Sequence, residues 1–437
     1  MARVVRSFQG LARLSSSTSQ QQQKYKFCVP LTQTSQSITS GKWRLYQSSS
    51  ASEEGNNEKS RVVFLGTPDV AATTLRKLYE ESTKDDSCFD IVGVVTQPPK
   101  RRKRKGKAEQ SPVGKVAEEY DLNLLYPEKV RLMSLLLFIV ENWEGPYGSR
   151  FLTCLTTFLS KRFPCFHFIL KANNSEFLDD LQNNVRPDLC ITAAYGQYLP
   201  KRFLATPTYG TVNIHPSLLP RWRGASPVQR SLEAGDNPVG VTVLFTVSKM
   251  DAGPIVKQQE HTLEGDETAT TLLPYLFEVG TDLLIDSMPD LLNGKITMET
   301  AEEQNEDNIV DAAMISPAEA EMKPWEESAT TLHNKARGFS MWPGTYLMFE
   351  VGEDSEPTKF KILETRVLED EKSDDPNSDA VVPGPSKKDG LRVTCFDGSI
   401  LEINRLQPAT RKPMDALSFI NGLQGKTVRW VKPSSRD

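Results

Sequence analysis

Residues 61–68 read RVVFLGTP, and the fold turns on that stretch. A run of β-branched, aromatic and aliphatic residues closed by Gly66 and Pro68 is the pattern of a buried strand entering a turn. The next residues, VAATTLRKLYEE (70–81), have helical spacing, and DIVGVVTQ (90–97) reads as a second buried strand. A strand, a helix and a strand in that order form a βαβ unit. Working outward, LNLLYP (122–127), DLCITAAYG (188–196), GTVNIHP (210–216) and GVTVLFTV (240–247) add strands, with helix-like SEFLDDLQ (175–182) and SPVQRSLEAG (226–235) between them. Strands alternating with helices imply a doubly wound, mostly parallel α/β sheet whose ligands bind at the carboxyl ends of the strands. The first turn, GTPD, carries no GxGxxG, which argues against a dinucleotide.

A helix-like run, 268–292, closes this domain near residue 297, and the acidic, Ala/Glu-rich stretch 298–323 reads as a linker. Beyond it come short β-like pieces, GTYLMFEV (344–351), FKILETRVL (360–368), LRVTCFDGSILEI (391–403) and KTVRWV (426–431), interrupted by an acidic loop at 369–388. Short strands with turns predict a small, OB-like β-barrel over 324–437.

Composition bounds the function. The chain is 437 residues long, 38% hydrophobic and 25% charged, with formal net charge −5, so no global positive field draws it to nucleic acid. Local basic patches would have to do so. Cys28, Cys88, Cys154, Cys165, Cys190 and Cys395 form no CxxC pair and suggest neither a metal knuckle nor a disulfide framework. The first 52 residues hold seven Lys or Arg and no Asp or Glu. Val4, Phe8 and Leu11 share one helical face flanked by Arg3, Arg6 and Arg13, the composition of an organellar transit peptide. Residues 1–58 are therefore set aside as leader and 59–297 taken as the α/β domain. The arginine-bearing start points to the mitochondrion, with the chloroplast as the alternative.

One of only four histidines lies in NIHPSLLPRWRG (213–224). Asn213 and His215 are two apart in a strand and share a face, and Asp251 follows the next strand in GVTVLFTVSKMDAGPIV (240–256). An amide can donate to a developing oxyanion, an imidazole can move protons, and a carboxylate can orient it. Neither a serine nor a cysteine occupies a nucleophile elbow, which favours direct transfer over a covalent acyl-enzyme. Taken alone, N-x-H with a distant aspartate also suits a structural histidine.

The longer motifs narrow the choice. NIHPSLLPRWRGASPVQRSLEAGD together with GVTVLFTVSKMDAGPIV resembles the signature region of methionyl-tRNA formyltransferases, and VVFLGTPDVAATTLRKL, PDLCITAAYGQYLP and ARGFSMWPGTYL extend the likeness from about Arg61 to Val431. The resemblance implies transfer of a formyl group from 10-formyltetrahydrofolate to the amino group of methionyl-tRNA, without a metal or a membrane and as a monomer. It places Asn213, His215 and Asp251 as the catalytic set. It assigns Ser217, Leu218, Leu219 and Pro220, with Ala194, Tyr195 and Gly196, to the folate cosubstrate. Pro216 departs from the small residue or glycine often found after the family's histidine. Rival readings are another folate-dependent formyltransferase, a formyltetrahydrofolate hydrolase, or an RNA-binding protein without catalysis.

The run KRRKRKGK (100–107) has seven basic residues in eight. Its position at a strand end, followed by SPVGKVAEE in the family's order, makes Lys100, Arg101, Arg102, Lys103, Arg104 and Lys105 an arm for tRNA phosphates. Arg221 and Arg223 are further candidates, with solvated arginines as the plainer reading. Residues 401–437 carry seven Lys or Arg against three acids, which suits the barrel as a tRNA-binding domain. The resemblance breaks at 130–171, a Phe- and Leu-rich stretch without sustained period. Val130-Arg131 can be back-translated as a splice donor and residues 166–171 as a pyrimidine-rich acceptor. The stretch therefore reads as a translated, retained intron that would leave the α/β domain as an excursion.

Overall fold

The structure, a computed structural model, describes residues 58–101, 108–127, 175–353 and 355–432. The leader, Arg102–Lys105 and the anomalous segment 130–171 lie outside the described residues.

The strand expected at Arg61 is β1 (Ser60–Gly66). Val62, Val63, Phe64 and Leu65 are all fully buried, as a strand covered on both faces requires. After it come α1 (Asp69–Ser82), β2 (Phe89–Val95), the short hairpin β3 (Lys100–Arg101) and β4 (Ala108–Glu109), α2 (Pro112–Glu119) and β5 (Leu124–Leu125). Helix α3 (Ser175–Asp180) runs into a π-turn at Leu181–Val185 and leads to β6 (Leu189–Ala193), the one-turn α4 (Lys201–Leu204) and β7 (Thr211–His215). Next are β8 (Arg221–Gly224), α5 (Pro227–Ala234), β9 (Val239–Phe245), β10 (Ile255–His261) and the long α6 (Ala269–Leu292).

These strands form a seven-stranded sheet in the order β10-β9-β7-β6-β1-β2-β5. The run β7-β6-β1-β2-β5 is parallel, and β9 and β10 are antiparallel additions. The chain winds outward from β1 to β5 and then returns to β6 on β1's other side, so the topological switch falls between β1 and β6. Within β1, Val62 and Phe64 belong to the core under α1 and α6, whereas Val63 and Leu65 pack on the face covered by α3 and α4. Helix α6 lies so close to the sheet that a Cβ on Gly280 would sit 2.6 Å from the Ile214 side chain. Strand β10 escaped the sequence pattern because Lys257, Gln258, Gln259 and Glu260 are exposed on an edge, with no apolar alternation to betray it.

The stretch 298–323 is more than a linker. Gln304 is buried, and β11 (Val310–Ala312) pairs in parallel with β8, so the segment straps the α/β lobe before leaving it. Helix α7 (Ala329–Gly338) follows, then β12 (Thr345–Val351), β13 (Thr358–Lys372), β14 (Val381–Pro383), β15 (Leu391–Thr394), β16 (Ser399–Pro408), β17 (Met414–Asp415), α8 (Ala416–Leu423) and β18 (Val428–Trp430). Their antiparallel sheet, β14-β15-β16-β13-β12-β18, nearly closes where Trp430 N donates to Asp379 O at 2.9 Å. Leu347, Phe349, Phe360, Leu401 and Ile403 fill its core. The second lobe docks through α7 on α5. Gly338 there faces the Gln229 carbonyl, which a Cβ would approach to 2.6 Å. Arg230 bridges Glu233 and Glu319 beside it.

Candidate active site

Asn213 and His215 emerge on one face at the carboxyl end of β7, and the register with β6 sets Asn213 beside Thr192. The Thr192 hydroxyl lies 2.8 Å from Asn213 Oδ1 and donates to it. A side-chain amide whose oxygen is so engaged presents its N–H₂ the other way, and among the described residues Asn213 Nδ2 has no hydrogen-bond partner. That orientation makes Asn213 a donor in waiting. Thr192 was not legible as part of the site, because nothing in DLCITAAYG marks which residue will face β7.

The His215 ring is buried, and its Nε2 sits 2.9 Å from the Trp222 carbonyl. A carbonyl can only accept, so Nε2 carries a proton and Nδ1 is the position left for chemistry. Asp251 Oδ2 is 3.7 Å from Nδ1, longer than a hydrogen bond, and accepts from Gly224 N at 3.0 Å. The sequence expectation put Asp251 at a neighbouring strand end, and its route is different. Strand β9 runs antiparallel to β7 and ends with Phe245 beside Val212, at the far end from His215. It is the loop 246–254 that returns the carboxylate to the ring.

Three non-glycine residues around this point hold left-handed backbone: Ala194 (φ 45°), Trp222 (φ 67°) and Asp251 (φ 47°). Such conformations cost roughly 1–3 kcal/mol each and persist where surrounding contacts enforce them, commonly at functional sites. The contacts here are identifiable. Trp222 Nε1 and the Arg221 guanidinium both donate to Asp236, and Arg221 also stacks over the Trp222 ring at 4.8 Å. Burial alone would push the Asp236 carboxyl up, but the bonds from Arg221 and Trp222 hold it below its ordinary range.

The loop 217–220 is held from below. The Thr242 hydroxyl donates to Ser217 O at 2.6 Å and accepts from Leu219 N, and Gln258 Nε2 donates to Leu219 O and to Thr242. Ser217 and Leu219 are buried; the Ser217 hydroxyl donates to Arg221 O, and Leu219 packs with Leu244 and Ile255. Ser217 spends its hydroxyl on the loop itself and Leu219 anchors the loop on β9 and β10, while Leu218 and Pro220 stay half-buried. At the switch point, Ala194, Tyr195 and Gly196 turn the chain after β6. The Tyr195 side chain is buried in the core with Leu199 and Phe203, so only its backbone can serve a ligand.

The basic candidates divide. Lys100 and Arg101 are exposed on β3. Arg221 is exposed but already paired with Asp236. Arg223 is buried, with its guanidinium bound to Gln304 and Glu306. Its assignment to tRNA does not hold, because no phosphate can reach it there. Among the described residues no cluster of His, Cys, Asp or Glu is placed to hold a metal ion. No described helix is long and apolar enough to cross a membrane.

Comparison with known proteins gives the family. Residues 60–288 match the family described as formyl transferase, and residues 314–424 match the formyl transferase C-terminal domain. The methionyl-tRNA formyltransferase of Lysinibacillus sphaericus is 31% identical over 365 residues, covering 84% of this chain and 96% of that protein. Those of Listeria monocytogenes serotype 4a and Lactococcus lactis subsp. cremoris are also 31% identical, covering 83% and 84% of this chain and 96% and 97% of theirs. A solved sugar 3N-formyl transferase aligns over 81% of this chain and all of its own, with 12% identity and a TM-score of 0.49.

Proposed function

The chain belongs to the methionyl-tRNA formyltransferase family, and from that premise we propose that it moves a formyl group from 10-formyltetrahydrofolate to the amino group of methionyl-tRNA. The observation that carries the mechanism is the convergence of Asn213, whose Nδ2 is left free, with His215 Nδ1 and the Asp251 carboxylate. The neutral amine attacks the formyl carbon. A C–N bond forms and the carbonyl electron pair moves onto oxygen. Asn213 Nδ2–H and the protonated His215 donate to that oxyanion, which is where preorganised donors contribute most. Collapse expels N10 of the folate, which takes up the proton lost by the attacking amine, relayed through water beside Asp251.

The folate lies between the turn Ala194–Gly196 and the loop Ser217–Pro220, against Leu218 and Pro220. The acceptor tRNA is met by Lys100, Arg101 and the rest of the basic run, and by the barrel lobe, with the enzyme working as a monomer. Exposure of Lys100 and Arg101 on a hairpin supports that reading. The arginine-bearing leader, free of acids over its first 52 residues, supports import into the mitochondrion, or alternatively the chloroplast, for organellar initiation. A reporter fused to residues 1–58 that stays in the cytosol would remove the organellar role. Segment 130–171 is a translated, retained intron: strand β5 before it and helix α3 after it are the strand–helix pair that a short loop joins in such folds. If every mature transcript carries codons 130–171, or deleting them abolishes transfer, that account is wrong. The activity itself is tested by incubating purified protein with 10-formyltetrahydrofolate and methionyl-tRNA. Formylmethionyl-tRNA is expected, and folded protein that binds tRNA without product would replace the enzyme with a binding protein.

A further inference from the structure

Gln304 comes from the strap between the lobes, far in sequence from the catalytic set, yet it is only 8% exposed and all of its hydrogen-bonding capacity points at the site. Its Nε2 donates to the carbonyls of Asp251 (2.9 Å) and Gly253 (2.7 Å). Its Oε1 accepts from Arg223 Nε (2.9 Å) and Nη2 (2.8 Å). Asp251 holds left-handed backbone, and its carboxylate is tied to Gly224 N, the residue next to Arg223. One carboxamide thus clamps both ends of the arrangement. On one side it grips the backbone of the carboxylate's own turn, and on the other the strand whose amide receives that carboxylate. Neighbouring bonds keep the strap in register, with Ile255 N donating to Glu302 O at 2.7 Å and Glu302 N to Ile255 O at 3.2 Å.

We propose that Gln304 is a positioning residue for formyl transfer: it holds Asp251 at its working distance from His215. This deepens the function proposed above and rests on it. Gln304 touches no substrate and acts through Asp251. Because the strap continues into the barrel lobe, the carboxylate's placement is tied to the segment that anchors the second lobe.

The chemistry of the carboxamide supplies a clean test, since its two ends can be separated. In Gln304→Glu the carboxylate keeps both acceptors for Arg223 and loses both donors to the 251 and 253 carbonyls. The expected result in the methionyl-tRNA assay is a fall in kcat of roughly 10- to 100-fold, the scale of a small misplacement of a reacting group. KM for both substrates should stay near wild type and the pH–rate profile of kcat should move; the melting temperature falls in either case, because the 251 and 253 carbonyls lose their donors, and so it does not decide by itself. A second variant, Gln304→Met, removes both ends and is scored as kcat per folate-binding site, so partial unfolding does not enter. Full kcat per site in both variants, or a lowered melting temperature with an unchanged pH profile, overturns the inference and leaves Gln304 structural. Wild-type protein that yields no formylmethionyl-tRNA overturns the function as well, so the two failures are told apart.

Discussion

Two basic stretches of this chain, Arg221–Arg223 and Lys100–Arg101, use the same side chains in opposite ways. In the first, Arg223 is buried against Gln304 and Glu306, and Arg221 is neutralised by Asp236 and stacked on Trp222. In the second, both cations stand exposed on a two-residue strand. An inward arginine shapes a catalytic loop, whereas an outward one offers charge to a polyanion. Arg223 and Arg101 are the same residue type, and what differs is whether acceptors already surround it.

The comparison breaks most visibly at the residues the inward stretch supports. Asn213→Ala should lower transfer by roughly 100- to 1,000-fold, the usual cost of an oxyanion donor, and His215→Ala by at least ~100-fold, both with folate binding retained. Near-normal turnover in either would take that residue out of the mechanism.

Arg223→Ala should behave as a stability mutant. Removing the guanidinium strands the buried Gln304 oxygen, at a cost of about 1–3 kcal/mol. A lower melting temperature with an unchanged salt dependence of tRNA binding is expected. A flattened salt dependence would return Arg223 to the RNA surface.

Neutralising Lys100–Lys105 should do the converse. The KM for tRNA rises and the salt slope of binding flattens, because each lost phosphate contact releases fewer counterions. Melting should not change. A salt slope like that of wild type would leave the hairpin a solvated loop.

The smallest effect concerns a cation that must not form. His333 hydrogen-bonds Thr365 of barrel strand β13, and burial, aided by the nearby Arg337 charge, holds its pKa below the ordinary value of 6.5. The neutral ring therefore contributes stability above that value, and the contribution is lost as pH falls through the lower folded one. Melting temperature measured from pH 7.5 to 5 should fall on the acid side, and His333→Gln should reduce the slope. Identical slopes would show that the proton goes elsewhere.

Much of this was readable in advance, for reasons that lie in particular residues. Val62–Leu65 announce a strand buried on both faces because both side-chain rows must be apolar there. Asn213 and His215 share a face by the two-residue period of a strand, and Gly66 and Pro68 close the first strand locally. The edge strand β10 and the strap were hidden, because polar residues on a sheet edge have no period and Gln304 sits in an acidic run that looks like solvent-facing chain.

The sequence by itself determined the winding of the α/β lobe, the short-stranded second lobe, and the chemical types gathered in NIHPSLLPRWRG, since these follow from local period and turn chemistry. Only the tertiary structure decided that Arg223 faces inward and that the amide of Asn213 is turned by Thr192. It also decided that Asp251 comes back to His215 through a loop held by a glutamine some fifty residues on. A hydrogen bond is chosen by distance in space. Acceptors brought together by a sheet register or a strap leave no mark in the order of the chain.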